Sequence, residues 1–194
     1  IEGAERWLMR RFDRVSTISG RMVERAQAKG LAYEKVVLFP NWVDIGDISP
    51  LASPSPYRAE LGLPDDAIVA LYSGNMGNKQ GLEILSDVAR QLRDDSGLAF
   101  VFGGNGSGRA DLERRCSGLP NVRFLDLQPL ERLNDWLGLA DIHLLPQRAD
   151  AADLVMPSKL TGMLASGRPV LATAHAGTEL ERVVARDADC GMVV

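Results

Sequence analysis

The sequence predicts a doubly wound α/β fold, a mostly parallel, Rossmann-like sheet with helices on both faces. Three observations predict it. Short apolar runs recur along the chain, each followed by a glycine-rich or polar loop and then by a segment of helical period. The runs are apolar almost throughout, as strands buried on both faces are. Strands and helices alternate one for one, which is the signature of parallel strands joined by right-handed crossovers.

The elements follow in order. Residues 2–12 place Trp7, Leu8 and Phe12 at helical spacing between arginines. Val15–Ser19 reads as a short strand. Ser19 then caps a helix running to Ala28 and closed by Gly30. KVVLFPNW is a strand ending in the Pro40–Asn41 turn. Residues 45–56 form an extended linker with three prolines in SPLASPSP, and mark a boundary.

Beyond the linker the rhythm is regular. YRAELGL is a short helix. The strands are Ala67–Ser73, LAFVFGG, NVRFLDL, DIHLLP, PVLATA and GMVV. The helices between them are Gly81–Arg93, Ala110–Cys116, Leu130–Leu139, Ser158–Ser166 and Glu179–Ala185. The first of these carries Leu82, Leu85, Val88, Ala89 and Leu92 on one face.

Composition bounds the function. The chain has 194 residues, 45% of them hydrophobic and 25% charged, enough for a substantial core without covalent staples. Its 22 basic against 26 acidic residues give a net charge of −4, which argues against nucleic acid or an anionic membrane as main partner. No apolar run approaches the ~20 residues needed to span a bilayer. Cys116 and Cys190 are the only cysteines and read as small apolar residues of a reducing compartment. The chain opens on Ile1 inside an amphipathic run and closes on CGMVV, so both ends read as cuts in a longer protein.

In open parallel sheets ligands bind beyond the carboxyl ends of the strands. Three loops there can carry chemistry. Ser73–Gly81 (SGNMGNKQG) reads either as an anion cradle, with Lys79 adding charge, or as a strand–helix turn that uses glycine for its geometry. Gly103–Gly108 partly fits a dinucleotide fingerprint, with Arg109 at the third glycine position and Asp126 placed as a ribose acid. Met156–Leu160 sets Ser158 as an N-cap and puts Lys159 in the first helical turn. A lysine there opposes the helix dipole unless a bound anion lies between them. His143 reads as a packed strand residue. His175, Asp150 and Asp153 lie in loops without a partner at motif spacing.

Taken together, the loops resemble the donor half of the GT-B glycosyltransferases of family 4 (group 1), closest to the colanic-acid-biosynthesis type. The resemblance rests on FPNWVD (39–44), YSGNMGNKQGLE (72–83), FGGNGSGRADLE (102–113), ADIHLLPQ (140–147) and MPSKLTGMLASGRPVLATA (156–174) with GTEL after it, in the family's order. It implies one half of a GT-B fold. Residues 1–44 would be the tail of the N-terminal acceptor domain with the crossing segment, and 45–194 the nucleotide-sugar (donor) domain, truncated at its C-terminus.

The resemblance also implies roles. Gly74, Asn75, Lys79, Gln80, Ser158, Lys159 and Leu160 would bind the donor diphosphate. Gly104, Asn105, Gly106, Leu127 and Gln128 would bind the nucleotide. The family often has an arginine and a lysine in its first loop, where this chain has Asn75 and Gln80. Its paired glutamates, eight residues apart, fall at Leu154 and Gly162, so the pair is absent and Glu179 is the substitute for a ribose or sugar contact. No catalytic residue is assigned.

The implied reaction is retaining transfer from a GDP- or UDP-sugar to a polysaccharide or lipid-linked acceptor. It uses no metal and no cofactor beyond the donor substrate. The implied location is cytoplasmic, at the inner face of the membrane, with at most peripheral association. The chain alone is expected to be inactive. Competing readings are a GT-B-fold sugar-nucleotide epimerase, an NAD-dependent dehydrogenase using the Gly103–Gly108 loop, and a non-catalytic sugar-nucleotide binding module.

Overall fold

The computed structural model describes residues 2–77, 80–148 and 156–194. Lys79, Asp150, Asp153 and Leu154 lie outside the described residues. The chain runs α1 (Glu2–Arg11), β1 (Val15–Thr17), α2 (Gly20–Ala28), β2 (Val36–Leu38), α3 (Tyr57–Glu60), β3 (Ile68–Ser73), α4 (Glu83–Gln91), β4 (Leu98–Gly103), α5 (Arg109–Arg115) and β5 (Val122–Leu125). It continues through α6 (Leu133–Leu137), β6 (Ile142–Leu145), α7 (Lys159–Ala165), β7 (Val170–Ala172), α8 (Glu179–Arg182) and β8 (Gly191–Val193).

Two sheets form. β1 and β2 pair in parallel, and the other six strands make one parallel sheet in the order β5-β4-β3-β6-β7-β8. Numbered within that sheet the order is 3-2-1-4-5-6, the doubly wound arrangement, with its switch point between β3 and β6.

The two-residue side-chain period of strands explains why both faces are apolar. On one face Ala70, Tyr72, Phe100 and Phe102 pack with Leu85 and Ala89 of α4 and Leu112 of α5. On the other, Val69, Leu71, Ala99 and Val101 meet Tyr57 of α3 and Trp136 and Leu137 of α6. A third cluster joins Leu145, Val170 and Ala172 to Leu160 and Met163 of α7 and Leu180 and Val184. Full burial of side chains of this size contributes roughly 1.5–3 kcal/mol each, so the strand runs dominate the fold's stability.

Several helices are shorter than the periodicity suggests. The segment 130–139 begins as a 3-10 turn, Leu130–Arg132, and becomes α-helical only at Leu133. The last helix widens after Arg182 into a π-type turn, Val183–Asp187. Within 81–93, Leu82, Leu85 and Ala89 are buried, but Val88 and Leu92 stay exposed at the rim. Ser19 caps α2 as expected, accepting from the Met22 amide at 3.2 Å.

The proline-rich segment joining the two sheets is docked rather than free. Ile48 is buried in the second cluster, and the Ser55 hydroxyl donates to the Asp135 carbonyl at 2.7 Å. Both cysteines are free thiols, Cys116 buried and Cys190 half-buried. Among the described residues no helix is long and apolar enough to cross a membrane.

His143 is fully buried on β6, with Nε2 3.0 Å from the Ser166 hydroxyl. That hydroxyl gives its proton to the Met163 carbonyl, so Nε2 carries hydrogen and donates to it. Burial, helped by Arg168, lowers the imidazole's pKa to about 4. The residue is neutral packing, as its place inside a strand suggests.

Gly103 ends β4 directly against α6, where a Cβ would run into the Trp136 indole. Overpacking of this kind costs about 2 kcal/mol. Gly103→Ala should therefore lower the urea midpoint with an unchanged m-value; an unaltered midpoint would show that the indole can move aside.

Candidate functional site

The carboxyl ends of β3, β4 and β5 carry loops that lock onto one another through backbone. The Gly74 amide donates to the Gly103 carbonyl at 2.9 Å, and the Gly104 amide to the Leu125 carbonyl at 3.2 Å. Met76 and Asn105 continue the pairing at 2.8 Å, and the Gly108 amide closes it on the Met76 carbonyl at 2.7 Å. Gly104 has φ +130°, and any Cβ on it would collide with the Gly74 carbonyl. Only glycine lets the two glycine-rich loops approach this closely. The first loop also rests on side chains below it. The Tyr72 hydroxyl donates to the Asn75 carbonyl at 2.6 Å, and the Trp136 indole N–H to the Ser73 hydroxyl at 2.8 Å.

Lys159 reaches into this arrangement from α7. Its Nζ lies 4.1 Å from the centroid of the buried Tyr72 ring and 3.6 Å from where a Gly74 Cβ would stand. No carboxylate or carbonyl of the described residues hydrogen-bonds it; the aromatic face is its partner. Burial pushes its pKa down to about 8. Lys159 and Gly74, which meet from separate segments of the sequence, are the centre of the site.

Arg109 organises the second loop. Its guanidinium donates to the Gly104 carbonyl at 3.0 Å and to Asn105 Oδ1 at 2.6 Å, and it pairs with Asp126 and Glu113. Gln128 is held at both ends, donating to the Asp126 carbonyl at 2.8 Å and accepting from the Tyr57 hydroxyl at 2.6 Å; Leu127 beside it is exposed. Asp126 is thus already an arginine partner and does not stand as the open ribose acid that a dinucleotide fingerprint needs. Within the first loop, Gln80 Oε1 is buried with no hydrogen-bond partner and faces Gly77.

Known proteins share this plan. The family described as "Glycosyl transferases group 1" matches residues 67–194. WcaI of Escherichia coli K12, named for colanic acid biosynthesis as a glycosyl transferase, is 44% identical over 180 residues, covering 91% of this chain and 44% of that protein. The chain belongs to the group 1 glycosyltransferases.

Other relatives agree with this placement. The glycosyltransferase WbjE of Pseudomonas aeruginosa is 29% identical over 93% of this chain and 47% of its own length. Among solved structures, Anabaena HepE in complex with UDP and glucose superposes with a TM-score of 0.76 at 18% identity, over 100% of this chain and 52% of that one. WaaG, a glycosyltransferase involved in lipopolysaccharide biosynthesis, gives 0.74 at 18% identity over 93% and 49%. These are GT-B enzymes, and the six-stranded sheet corresponds to one Rossmann-like half of that fold. The chain spans less than half the length of the curated group 1 relatives named here.

Three of the residues that the resemblance implies make contacts of their own in this glycosyltransferase domain. The Glu179 carboxylate accepts from the Gly20 and Arg21 amides at 3.1 and 3.4 Å, at the amino end of α2. It lines a cleft of about 270 Å³ with Arg21 and Arg182, between the start of α2 and α8. Ser158 has helical dihedrals and makes no side-chain cap; it is exposed at the mouth of the site. Leu160 buries its side chain in the third cluster and donates its amide to the Pro157 carbonyl at 3.1 Å.

Lys159 gives a test that needs no ligand. Its ammonium titrates near 8 in the folded chain and near 10.5 when unfolded, so between these values the unfolded chain holds more protons. Stability from this residue therefore rises with pH across that window and is lowest below it. Lys159→Met should stabilise the ligand-free protein at pH 7 by about 1 kcal/mol once partial exposure is allowed for. Urea melts should show that gain shrinking towards pH 10. A loss of stability at pH 7 would mean that the charge is well compensated as it stands.

Proposed function

We propose that this group 1 domain binds a nucleoside-diphosphate sugar, GDP- or UDP-linked, and serves retaining transfer of the sugar to a polysaccharide or lipid-linked acceptor. The observation that carries the reading is the Lys159 ammonium, desolvated over Tyr72 and set against Gly74 with no anionic partner among the described residues. A buried cation without a counter-ion is costly and is relieved by an incoming phosphate.

In this reading residues 1–44 close an acceptor-binding domain and 45–194 form the donor domain. The diphosphate lies over Gly74, Asn75 and Gln80, with Lys79 and Lys159 supplying charge and Ser158 at its edge. The nucleotide lies along Gly104, Asn105 and Gly106, with Leu127 and Gln128 beside the base. Because both ends of the Gln128 amide are engaged within the protein, backbone groups of 127–128 are better placed to meet a base than that side chain. The negative charge that develops on the departing diphosphate is met by oriented amides and lysine rather than by a metal. UDP and UDP-glucose in solved HepE structures support the donor class.

Thermal-shift measurement against UDP, GDP, ADP, TDP and NAD tests this directly. UDP or GDP should raise the melting temperature and NAD should not. In calorimetry Lys159→Ala should weaken the diphosphate by about tenfold or more, the usual worth of a charge-assisted contact. Because phosphate holds the proton on Lys159, affinity should also fall as pH rises past about 8, where the free ammonium begins to titrate. Equal affinity in wild type and Lys159→Ala would remove the site.

A further inference from the structure

Resting on the donor-site reading above, we propose that Tyr57 is a positioning residue for base selection: its hydroxyl holds the Gln128 carboxamide away from the nucleotide, so that the fixed backbone of 127–128 meets the base and adenine is refused. Tyr57 opens α3, 71 positions before Gln128, and lies outside every loop that the resemblance assigns to the donor.

The hydroxyl is aimed by its surroundings. Tyr57 is fully buried. Its ring meets the Trp136 indole edge-on, with centroids 5.2 Å apart, and the Arg132 guanidinium lies 4.0 Å from the ring centroid. Arg132 is itself held by both carboxylate oxygens of Glu60, at 2.6 and 3.2 Å. The Tyr57 amide donates to the Ser55 hydroxyl at 3.3 Å, and that hydroxyl donates to the Asp135 carbonyl. Fixed in this way, the phenol directs its O–H to Gln128 Oε1 at 2.6 Å. Burial raises the pKa of the phenol, so the proton stays on it. At the other end of the carboxamide, Gln128 Nε2 donates to the Asp126 carbonyl at 2.8 Å. The Asp126 side chain pairs with Arg109, which also grips Gly104 and Asn105. The segment is thus tied to α3 on one side and to the second glycine-rich loop on the other.

What this lock withholds is a group that can suit any base. A carboxamide carries a donor and an acceptor side by side, and half a turn about its last bond exchanges them. A free glutamine pairs with adenine through N6 and N7. A backbone amide and carbonyl cannot exchange places, so they present one fixed order. Uracil and guanine each offer a carbonyl beside a ring N–H, whereas adenine offers an amino group beside a bare ring nitrogen. A fixed order that suits the first two is wrong for the third.

Calorimetry on the 194-residue chain with UDP, GDP and ADP tests the assignment. Wild type should bind UDP or GDP roughly tenfold or more tightly than ADP. Tyr57→Phe keeps the ring contacts and removes only the hydroxyl, and its urea midpoint shows that it is folded. In that variant the preference over ADP should shrink by about tenfold, the discrimination that one bidentate side-chain contact to a base carries. Adding Gln128→Leu to it should bring the preference back. In the unaltered chain, the nuclear Overhauser contact between the Tyr57 ring and the Gln128 side chain should persist when UDP or GDP saturates the site. Loss of that contact would mean that the carboxamide turns to the base, and would overturn the assignment. Equal weakening of all three nucleotides in Tyr57→Phe, an unchanged preference, or a reduced preference that Gln128→Leu does not restore would overturn it too, and in each case the donor site stands. Equal binding of all three by wild type would leave no selection for Tyr57 to impose. If wild type binds none of them, the donor reading itself fails and this inference with it.

Discussion

An ammonium group held away from water beside a glycine backbone is the constraint from which the site follows. Lys159 could solvate its charge at the start of α7; instead its stem lies across the sheet's end and the charge rests on the face of Tyr72. That position is unfavourable twice over, through desolvation and through the dipole of its own helix. A fold tolerates such strain where a ligand removes it. Tyr72 serves both sides of the arrangement. Its ring carries the cation, while its hydroxyl fixes the Asn75 carbonyl and with it the turn of the first glycine-rich loop.

Beneath the loops is a scaffold that leaves them little freedom. Trp136 packs edge-on against Tyr57, holds Ser73 by its N–H, and fills the space a Gly103 side chain would need. Arg109 then binds the Gly104–Asn105 backbone and side chain to Asp126 at the next strand. The loops are set by strand ends, one indole and one guanidinium.

The sequence made the sheet legible because strands buried on both faces must be apolar throughout, and few other structures look like that. Lys159 was legible for a different reason: a lysine in the first turn of a helix conflicts with the dipole, and such conflicts mark places where something outside the helix decides. Trp136, Arg109 and Tyr57 were not, since each acts on residues remote in sequence, and a tryptophan in a short helix gives no sign of which strand end it will support. A carboxylate after a strand looks the same in sequence whether it awaits a hydroxyl or, as Glu179 does, accepts from a helix start 159 positions away. Position at a helix start likewise does not reveal that the Leu160 amide donates to the Pro157 carbonyl.

The division between backbone and side chains explains how a fold can persist at 18% identity with a TM-score of 0.76. The locked loops are held mainly by amides and carbonyls, which every residue type supplies, and by a few glycines whose role is to be absent. Such a framework constrains sequence weakly and geometry strongly. Above it stand side chains that the framework positions but does not choose, among them the exposed Leu127 and the Lys159 ammonium. The first loop bears the uncharged Asn75 and Gln80, and the cation beside Gly74 arrives from α7 across the switch point.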